Sequence, residues 1–207
     1  MRIRPAGPCA LLVELEDLAQ VQVLHAALVE RHGAGDLPAV TDIVPAARTV
    51  LLDGVEDTGA MADAVAACAL TSGIAPVAAG ALVEIPVVYD GEDLPWVAEQ
   101  WDTSVEGAIA LHSGIVFRAA FCGFVPGFAY LVGLPEHCHL PRRPRPRPQV
   151  QAGAVAVAGE FTGVYPRPSP GGWHLLGRTT KAMWDPARPE PALVAPGVEV
   201  RFVAVEP

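Results

Sequence analysis

The chain has 207 residues, of which 51% are apolar, and it carries a formal net charge of −9. This length suits one large domain or two small ones, and the apolar fraction is enough to bury a core. No apolar run reaches the ~18 residues that a membrane-spanning helix needs, and the first residues lack the apolar stretch of a signal peptide. The overall acidity argues against general nucleic-acid binding. We therefore expect a soluble cytoplasmic protein with neither a nucleic-acid nor a membrane partner.

Short strands and helices alternate over the first ninety residues. Asp17 and Gln20 form a capping-box pattern at the start of the first helix, and Gly33 and Gly35 end it. The predicted order is strand, helix, strand, strand, helix, strand, at 9–15, 18–32, 39–45, 48–54, 59–70 and 82–89. That order matches the split βαβ, ferredoxin-like arrangement.

A glycine- and alanine-rich stretch, GIAPVAAG, predicts a domain boundary at 73–80. We expect an N-terminal α/β domain over 1–80 and a second domain over 81–207. Two short helices follow the boundary, with Asp93 and Ser104 as candidate N-caps. After Gly123 the chain breaks into many short apolar runs separated by glycine and proline, a pattern typical of an all-β barrel or sandwich.

The cysteine and histidine spacing favours no metal site. The four cysteines form no CxxC pair and lie among apolar or small residues, so we expect buried reduced thiols. His137 and His139 in the HCH sequence could share one face of a strand, but no second ligand cluster accompanies them.

A basic window interrupts the acidic chain. Residues 137–184 contain seven Arg and Lys but a single acid, Glu160. This charge favours a small anionic ligand or an acidic patch on a partner, although a solvated basic surface has the same composition. Three segments in or beside the window are rich in aromatic residues and arginine: GFVPGFAYLVGLP (123–135), PRRPRPRPQVQAGAVAVAG (141–159) and EFTGVYPRPSPGGWHLLGRT (160–179).

The arginines of the second segment stand in a proline-rich backbone, which is extended and cannot form helical ion pairs. Arginine binds carboxylate or phosphate through two parallel hydrogen bonds, so the segment is either an anion-binding wall or a basic linker. The phosphate loop GxxxxGK[ST] and the GxGxxG, GxSxG and HExxH motifs are missing from the sequence. These features favour one component of a larger complex over a complete enzyme.

The three segments, in this order, resemble the family that contains the B subunit of 5-oxoprolinase, also labelled allophanate hydrolase subunit 1 and kinase inhibitor KipI. The resemblance extends to EIPVVY near 84–89 and to DPARPEP and PGVEVRF near the C-terminus. It implies an α+β protein with an N-terminal α/β domain and a cyclophilin-like β-barrel. It also implies a hydrolase complex with homologues of the A and C subunits, which opens 5-oxo-L-proline to L-glutamate with ATP and in which this chain is inactive alone.

Two other functions remain open. The first is that of one component of a urea amidolyase-like carboxyltransferase, for which a partner would carry biotin because Lys181 lacks the usual Met-Lys context. The second is a non-catalytic inhibitor of a histidine kinase.

The resemblance also yields a hypothesis for the site, which would hold a small amide or lactam. The proposed catalytic residues are His112, Arg147, Thr162 and Tyr165. His112 is the candidate acid–base group, although a structural role also fits it. The proposed substrate-binding residues are Phe124, Pro126, Phe128, Tyr130, Arg142, Ser169, Gly171 and Gly172.

Three positions depart from the family pattern. Phe161 stands where relatives carry Gln, so a side-chain amide is replaced by an apolar ring. Ala154 lacks the hydroxyl of the family serine, and Ala129 replaces a proline. We expect these changes to affect substrate choice more than the fold, and Phe161 most of all.

Overall fold

The computed structural model describes residues 1–71 and 82–206. The chain divides into two compact units, Met1–Ala78 and Ala79–Pro207. The predicted boundary at 73–80 lies outside the described residues. Among the helices that the structure describes, none has both the length and the apolarity to cross a bilayer.

The first unit contains a four-stranded antiparallel sheet with two helices. Its elements are β1 (Arg2–Pro5), β2 (Ala10–Glu14), α1 (Leu18–Ala34), β3 (Asp42–Pro45), β4 (Thr49–Asp53) and α2 (Thr58–Thr71). The capping prediction for α1 is confirmed, because the Asp17 side chain accepts a 2.8 Å hydrogen bond from the Gln20 backbone N–H. The helix ends at Gly35, whose φ of 77° is the left-handed conformation that glycine adopts most easily.

The sheet order corrects one part of the ferredoxin-like prediction. The order is β1-β2-β4-β3, so β4 lies between β2 and β3. The strand at 82–89, however, is not part of this sheet. The N-terminal strand β1 takes the edge position beside β2 instead, paired in register from Arg2 opposite Glu14 to Pro5 opposite Leu11. The strand β1, which is close to β2 along the chain, thus occupies the edge position that the ferredoxin-like prediction assigned to the strand at 82–89.

The second unit is built on a nearly closed β-barrel sheet. Its elements are β5 (Leu82–Val87), α3 (Leu94–Gln100), α4 (Val105–Gly114), β6 (Val116–Cys122), β7 (Ala129–Val132), a 3-10 turn (Glu136–Cys138), β8 (Arg147–Val150), β9 (Ala154–Ala158), β10 (Phe161–Val164), β11 (Ser169–Gly171), β12 (His174–Arg178) and β13 (Glu199–Ala204). Seven strands form the sheet in the order β12-β9-β10-β7-β6-β13-β5, and β8 and β11 pair separately. Val88 and Arg178 exchange two backbone hydrogen bonds of 2.9 Å, which join the two ends of the sheet. The barrel prediction for this half of the chain is therefore confirmed.

The strand β9 shows how the sequence positions the two faces of this sheet. Its residues AVAVA are all buried. Val155 and Val157 belong to the barrel core, whereas Ala154, Ala156 and Ala158 pack in a second cluster on the opposite face. Since successive side chains of a strand point to opposite faces, valines fill the interior while alanines leave room for large rings outside.

Candidate functional site

An aromatic cluster covers the alanine face of β9. Phe128 lies at its centre, with ring centroids 5.1 Å from Tyr130, 5.3 Å from Tyr165 and 5.3 Å from Trp173. All three contacts are edge-to-face, the arrangement that aromatic quadrupoles favour. Phe161 meets the edge of Tyr130 at 5.5 Å. The aromatic cluster consists of Phe121, Phe124, Phe128, Tyr130, Phe161, Tyr165 and Trp173.

Two glycines make the close packing of this cluster possible. A Cβ on Gly163 would lie 2.8 Å from the Ala129 carbonyl oxygen and 3.3 Å from the Phe128 ring. A Cβ on Gly171 would collide with the hydroxyl group of Tyr165. Gly171, predicted to bind substrate, therefore makes room for the Tyr165 ring in this structure.

The loop 123–128 presents an apolar side chain to solvent. Phe124 is 58% exposed, and its φ of 69° lies in the left-handed region that a bulky residue rarely adopts. Short backbone hydrogen bonds hold the loop, from Val125 N–H to the Gly123 carbonyl at 2.8 Å and from Phe128 N–H to the Val125 carbonyl at 3.0 Å. Pro126 is exposed in the same turn. Strain that holds an apolar ring in water is typical of functional loops.

Arg142 supplies positive charge beside the cluster. Its side chain is exposed, and its guanidinium has no hydrogen-bond or carboxylate partner among residues 1–71 and 82–206. Burial raises the pKa of both Tyr130 and Tyr165, and the Arg142 charge opposes that rise at each hydroxyl. A free guanidinium next to the half-buried Tyr130 on an apolar surface can bind an anionic group, whereas Tyr165 is buried with only 2% of the residue exposed.

Arg147, the other arginine predicted to orient anions, already has internal partners. It donates two hydrogen bonds from Nη2 to the Asp93 carboxylate, at 2.9 and 2.8 Å, and one from Nε to Glu92 at 2.6 Å. Its own burial lowers the pKa of Arg147, but the hydrogen bonds and charges of Asp93 and Glu92 outweigh that effect and raise it. The structure therefore gives Arg147 a structural role in fixing the proline-rich segment.

Asp93 is a residue whose role the sequence misassigned. It stands at the N-cap position of α3, but its side chain makes no capping hydrogen bond. Instead Oδ1 accepts a 2.6 Å bond from Arg143, and Oδ2 accepts a 2.7 Å bond from the Leu175 backbone N–H. These partners come from distant parts of the chain, so local sequence carried no signal for them. The capping prediction for Ser104 is confirmed by its 3.1 Å bond from the Gly107 N–H.

His112 and Thr162 lie inside the barrel, away from the aromatic cluster. The Thr162 hydroxyl donates to the Ala156 carbonyl at 3.0 Å and accepts from His112 Nε2 at 2.9 Å. His112 Nδ1 then accepts from the Tyr89 hydroxyl at 2.7 Å. Complete burial lowers the pKa of His112 to about 3, so the ring is neutral at neutral pH. Its buried, fully bonded position supports a structural role for His112, and the acid–base hypothesis loses its geometric support.

Of the remaining predicted residues, Ser169 is buried in β11 and its hydroxyl donates to the Arg167 carbonyl at 3.4 Å. The Gly172 carbonyl accepts a 2.8 Å bond from the Arg143 N–H. The predicted residues that the structure brings together are Phe124, Phe128, Tyr130, Arg142, Tyr165 and Gly171. Trp173 joins them without having been singled out. No group of three or more His, Cys, Asp or Glu side chains that could hold a metal is found within the described part of the chain.

Comparison with known proteins identifies relatives of this chain. Residues 1–194 match the family described as the carboxyltransferase domain, subdomains C and D. The chain is similar to the B subunit of 5-oxoprolinase from Escherichia coli O157:H7, with 46% identity over 124 residues, which are 58% of this chain and 57% of that relative. The match thus spans little more than half the length of the curated relative.

Two solved structures share the fold. TTHA0988 superimposes with a TM-score of 0.79 at 37% identity, over all of this chain and 41% of its own length. The urea amidolyase of K. lactis has the same TM-score of 0.79 at 19% identity, over 99% of this chain and 15% of that enzyme. The second likeness supports the fold alone. The chain therefore belongs to the carboxyltransferase family of subdomains C and D, and its resemblance to the 5-oxoprolinase B subunit is confirmed.

Proposed function

We propose that this chain is one component of an ATP-dependent complex that hydrolyses 5-oxo-L-proline to L-glutamate. In this proposal the chain is inactive alone and acts with homologues of the A and C subunits, and ATP is consumed by the assembled complex. It comprises an α/β domain over 1–80 and a cyclophilin-like barrel over 81–207. The name of the Escherichia coli relative supports the activity. The observation that carries the proposal is the unpaired Arg142 beside the aromatic cluster, within the part of the chain that the structure describes.

The chemistry explains why such a surface is useful. The lactam carbonyl is a poor electrophile, and phosphorylation of its oxygen by ATP would turn that oxygen into a leaving group. Both the substrate carboxylate and the phosphorylated oxygen are anionic, so they need a cation and hydrogen-bond donors. Arg142 would bind the carboxylate, the hydroxyl of Tyr130 would donate to it, and the buried Tyr165 would support the surface from within. The surrounding rings exclude water, which strengthens each of these interactions.

The residues inside the barrel have a supporting role in this proposal. Thr162 and His112 hold β10 against the interior, and Arg147 fixes the segment that carries Arg142. Ser169 and Gly172 shape the strand and turn beside Tyr165. None of these side chains needs to touch the substrate for the proposed chemistry.

Co-expression with the two candidate partners tests the activity. The assay measures ATP-dependent formation of glutamate from 5-oxo-L-proline, with and without this chain. We expect glutamate only when all three chains are present. Glutamate at the level seen without this chain would refute the proposed function, and strong activity of the chain alone would refute its dependence on partners.

A pair of arginine variants tests the site within an active complex. Arg142→Ala is expected to lower kcat/KM by about ten- to a hundredfold, the cost of one lost charged hydrogen-bond pair. The control is Arg201→Ala, which removes an exposed arginine from β13, where Arg201 lies 3.7 Å from Glu84. Equal turnover in both variants would place the substrate site elsewhere.

The match of residues 1–194 to the carboxyltransferase domain family supports a second candidate function. In that case the chain would form half of a carboxyltransferase site for urea or a related amide, with carboxybiotin supplied by a partner. Transfer of a carboxyl group to urea by the co-expressed complex, without glutamate formation from 5-oxo-L-proline, would favour this function over the first.

A further inference from the structure

A cleft of about 520 Å³ lies beside helix α3, apart from the aromatic cluster. We call it the Trp96 cleft, and its lining residues are Asp93, Trp96, Arg143, Pro144, Arg145 and His174. It shares no residue with the aromatic cluster.

Two pairs of neighbouring residues are divided between the Trp96 cleft and the side of the chain that carries the aromatic cluster. Arg142 and Trp173 belong to the aromatic side, whereas their neighbours Arg143 and His174 line the cleft. The segments are joined by hydrogen bonds, including one of 2.9 Å between His174 Nε2 and the Pro141 carbonyl. In extended chains neighbouring side chains point to opposite faces, which explains why two adjacent arginines serve different surfaces.

His174, which lines this cleft, has a buried hydrogen-bond acceptor that is unused. Its residue is only 5% exposed, and Nε2 must carry the proton because the Pro141 carbonyl can only accept. In the neutral form of the ring Nδ1 has a free lone pair, and no partner for this buried atom occurs among the described residues. An acceptor buried without a donor is costly, so a ligand with an N–H group would relieve it.

Arg143, which lines the same cleft, has a buried donor that is unused. Nη1 is bonded to Asp93 at 2.6 Å, but the buried Nε has no hydrogen-bond partner within the described chain. The fork formed by Nε and a terminal nitrogen fits a carboxylate. Asp93 does not compete for an anion, because Arg147 also binds it through both carboxylate oxygens. With Arg145 nearby, two arginines line the cleft against one carboxylate.

Trp96 supplies a flat apolar wall. Its indole stacks on the His174 ring with centroids 4.4 Å apart and planes 20° apart, yet 40% of Trp96 remains exposed. The free atoms of His174 and Arg143 are covered in this structure, so we infer that side chains lining the cleft, Trp96 among them, move before a ligand reaches these atoms. Binding should therefore change the environment of Trp96.

We propose that the Trp96 cleft binds a small planar carboxylate that carries an N–H group. The carboxylate would bind the free edge of Arg143, the N–H would donate to His174 Nδ1, and the planar part would lie against Trp96. The chemical class of the ligand is inferred only from the residues that line the cleft. The choice of 5-oxo-L-proline as the probe rests on the proposed function, since this molecule combines a lactam N–H with a carboxylate.

Binding of the probe to the full chain is measured by calorimetry and by tryptophan fluorescence, with Trp96→Phe identifying the contribution of Trp96. Arg143→Lys keeps the charge but removes the fork, and we expect it to weaken binding about tenfold or more. His174→Gln keeps a donor for the Pro141 carbonyl but leaves no acceptor at the position of Nδ1, because its amide oxygen lies elsewhere on the side chain, so it should weaken binding about three- to tenfold. Arg201→Ala, which removes an arginine of β13 that lines neither the Trp96 cleft nor the aromatic cluster, is the matched control and should bind the probe unchanged.

Two analogues test the ligand chemistry. The lactone in which a ring oxygen replaces the N–H should bind the wild-type chain more weakly and lose its sensitivity to His174→Gln. 2-Pyrrolidinone, which lacks the carboxylate, should lose its sensitivity to Arg143→Lys.

Absence of any heat or fluorescence change at about 20 mM probe, well above the millimolar range of weak binding, would overturn the proposal. So would binding that Arg142→Ala abolishes and His174→Gln leaves intact, because the probe would then occupy the aromatic cluster. Binding of the probe at the aromatic cluster would overturn the Trp96 cleft proposal but would leave the proposed function intact. Failure of glutamate formation in the complex would refute the proposed function but would not contradict binding at the Trp96 cleft.

Discussion

Replacement of Asp93 by asparagine removes the negative charge that Arg143 and Arg147 share. The Asp93 side chain is 9% exposed and that of Arg147 is 13% exposed, so this pair is largely shielded from water. Asparagine has the same shape and keeps one acceptor oxygen, but its amide group would face arginine donors. The variant therefore isolates the effect of the charge.

The expected loss can be estimated from the burial of the three partners. Breaking a buried ion pair by removing one charge costs about 3–5 kcal/mol. Arg143 is 33% exposed and can recover part of its hydration, and Arg147 keeps its bond to Glu92. We therefore expect the free energy of unfolding to fall by about 2–3 kcal/mol.

Urea unfolding followed by tryptophan fluorescence measures this loss as a free energy. All four tryptophans lie at or after position 96, within the second unit. With a slope of about 2 kcal/mol per molar urea, the midpoint should fall by about 1–1.5 M. The control is Asp90→Asn, whose partner Arg178 and own side chain are both exposed, so its loss should stay below about 1 kcal/mol. Equal midpoints for the two variants would refute the reasoning.

Three further predictions concern the barrel and the aromatic cluster. The pKa of His112 falls from 6.5 to about 3 on folding, so below about pH 6 the unfolded chain binds one more proton than the folded chain. The free energy of unfolding of the wild type should therefore fall by about 1.4 kcal/mol per pH unit relative to that of His112→Gln, down to about pH 4. Urea unfolding at a series of acid pH values measures this, and parallel pH dependences for the two proteins would contradict it. Gly171→Ala should cost about 1–3 kcal/mol because its Cβ collides with Tyr165, whereas Gly172→Ala, whose nearest contact is 3.7 Å, should melt close to the wild type. Phe161→Gln should lower stability by about 1–2 kcal/mol through lost edge-to-face contacts, and an unchanged urea midpoint would show that these contacts are dispensable.

Local patterns predicted the elements well where the forces that form them are local. The Asp17 cap and the left-handed Gly35 act within a few residues, so both ends of α1 could be read from the sequence. The alternation of short apolar runs after Gly123 indicated a barrel or sandwich because it reports which residues face a core. The edge strand of the first sheet was misassigned, since apolar alternation shows that a strand exists but not which strand it pairs with.

For the candidate site, too, local sequence patterns predicted some features and missed others. Aromatic and arginine-rich segments marked the surface that contains Phe128, Tyr130 and Arg142, because such compositions are unusual in loops. They could not separate Arg142, which is unpaired among the described residues, from Arg147, which is bound to Asp93. In an extended proline-rich segment each arginine has the same local context, and only the position of α3 decides which one is neutralised.

The sequence alone determined the barrel pattern after Gly123, the ends of the first helix, the family to which the chain belongs and the presence of an aromatic, cationic surface. These properties follow from composition, short-range capping and motif order. Tertiary structure decided that His112 and Thr162 bond to each other inside the barrel, and that Arg143 and His174 line a cleft behind the aromatic cluster. The physical reason is that burial and the pairing of charges depend on segments brought together from distant parts of the chain, where strand alternation assigns neighbours to opposite faces.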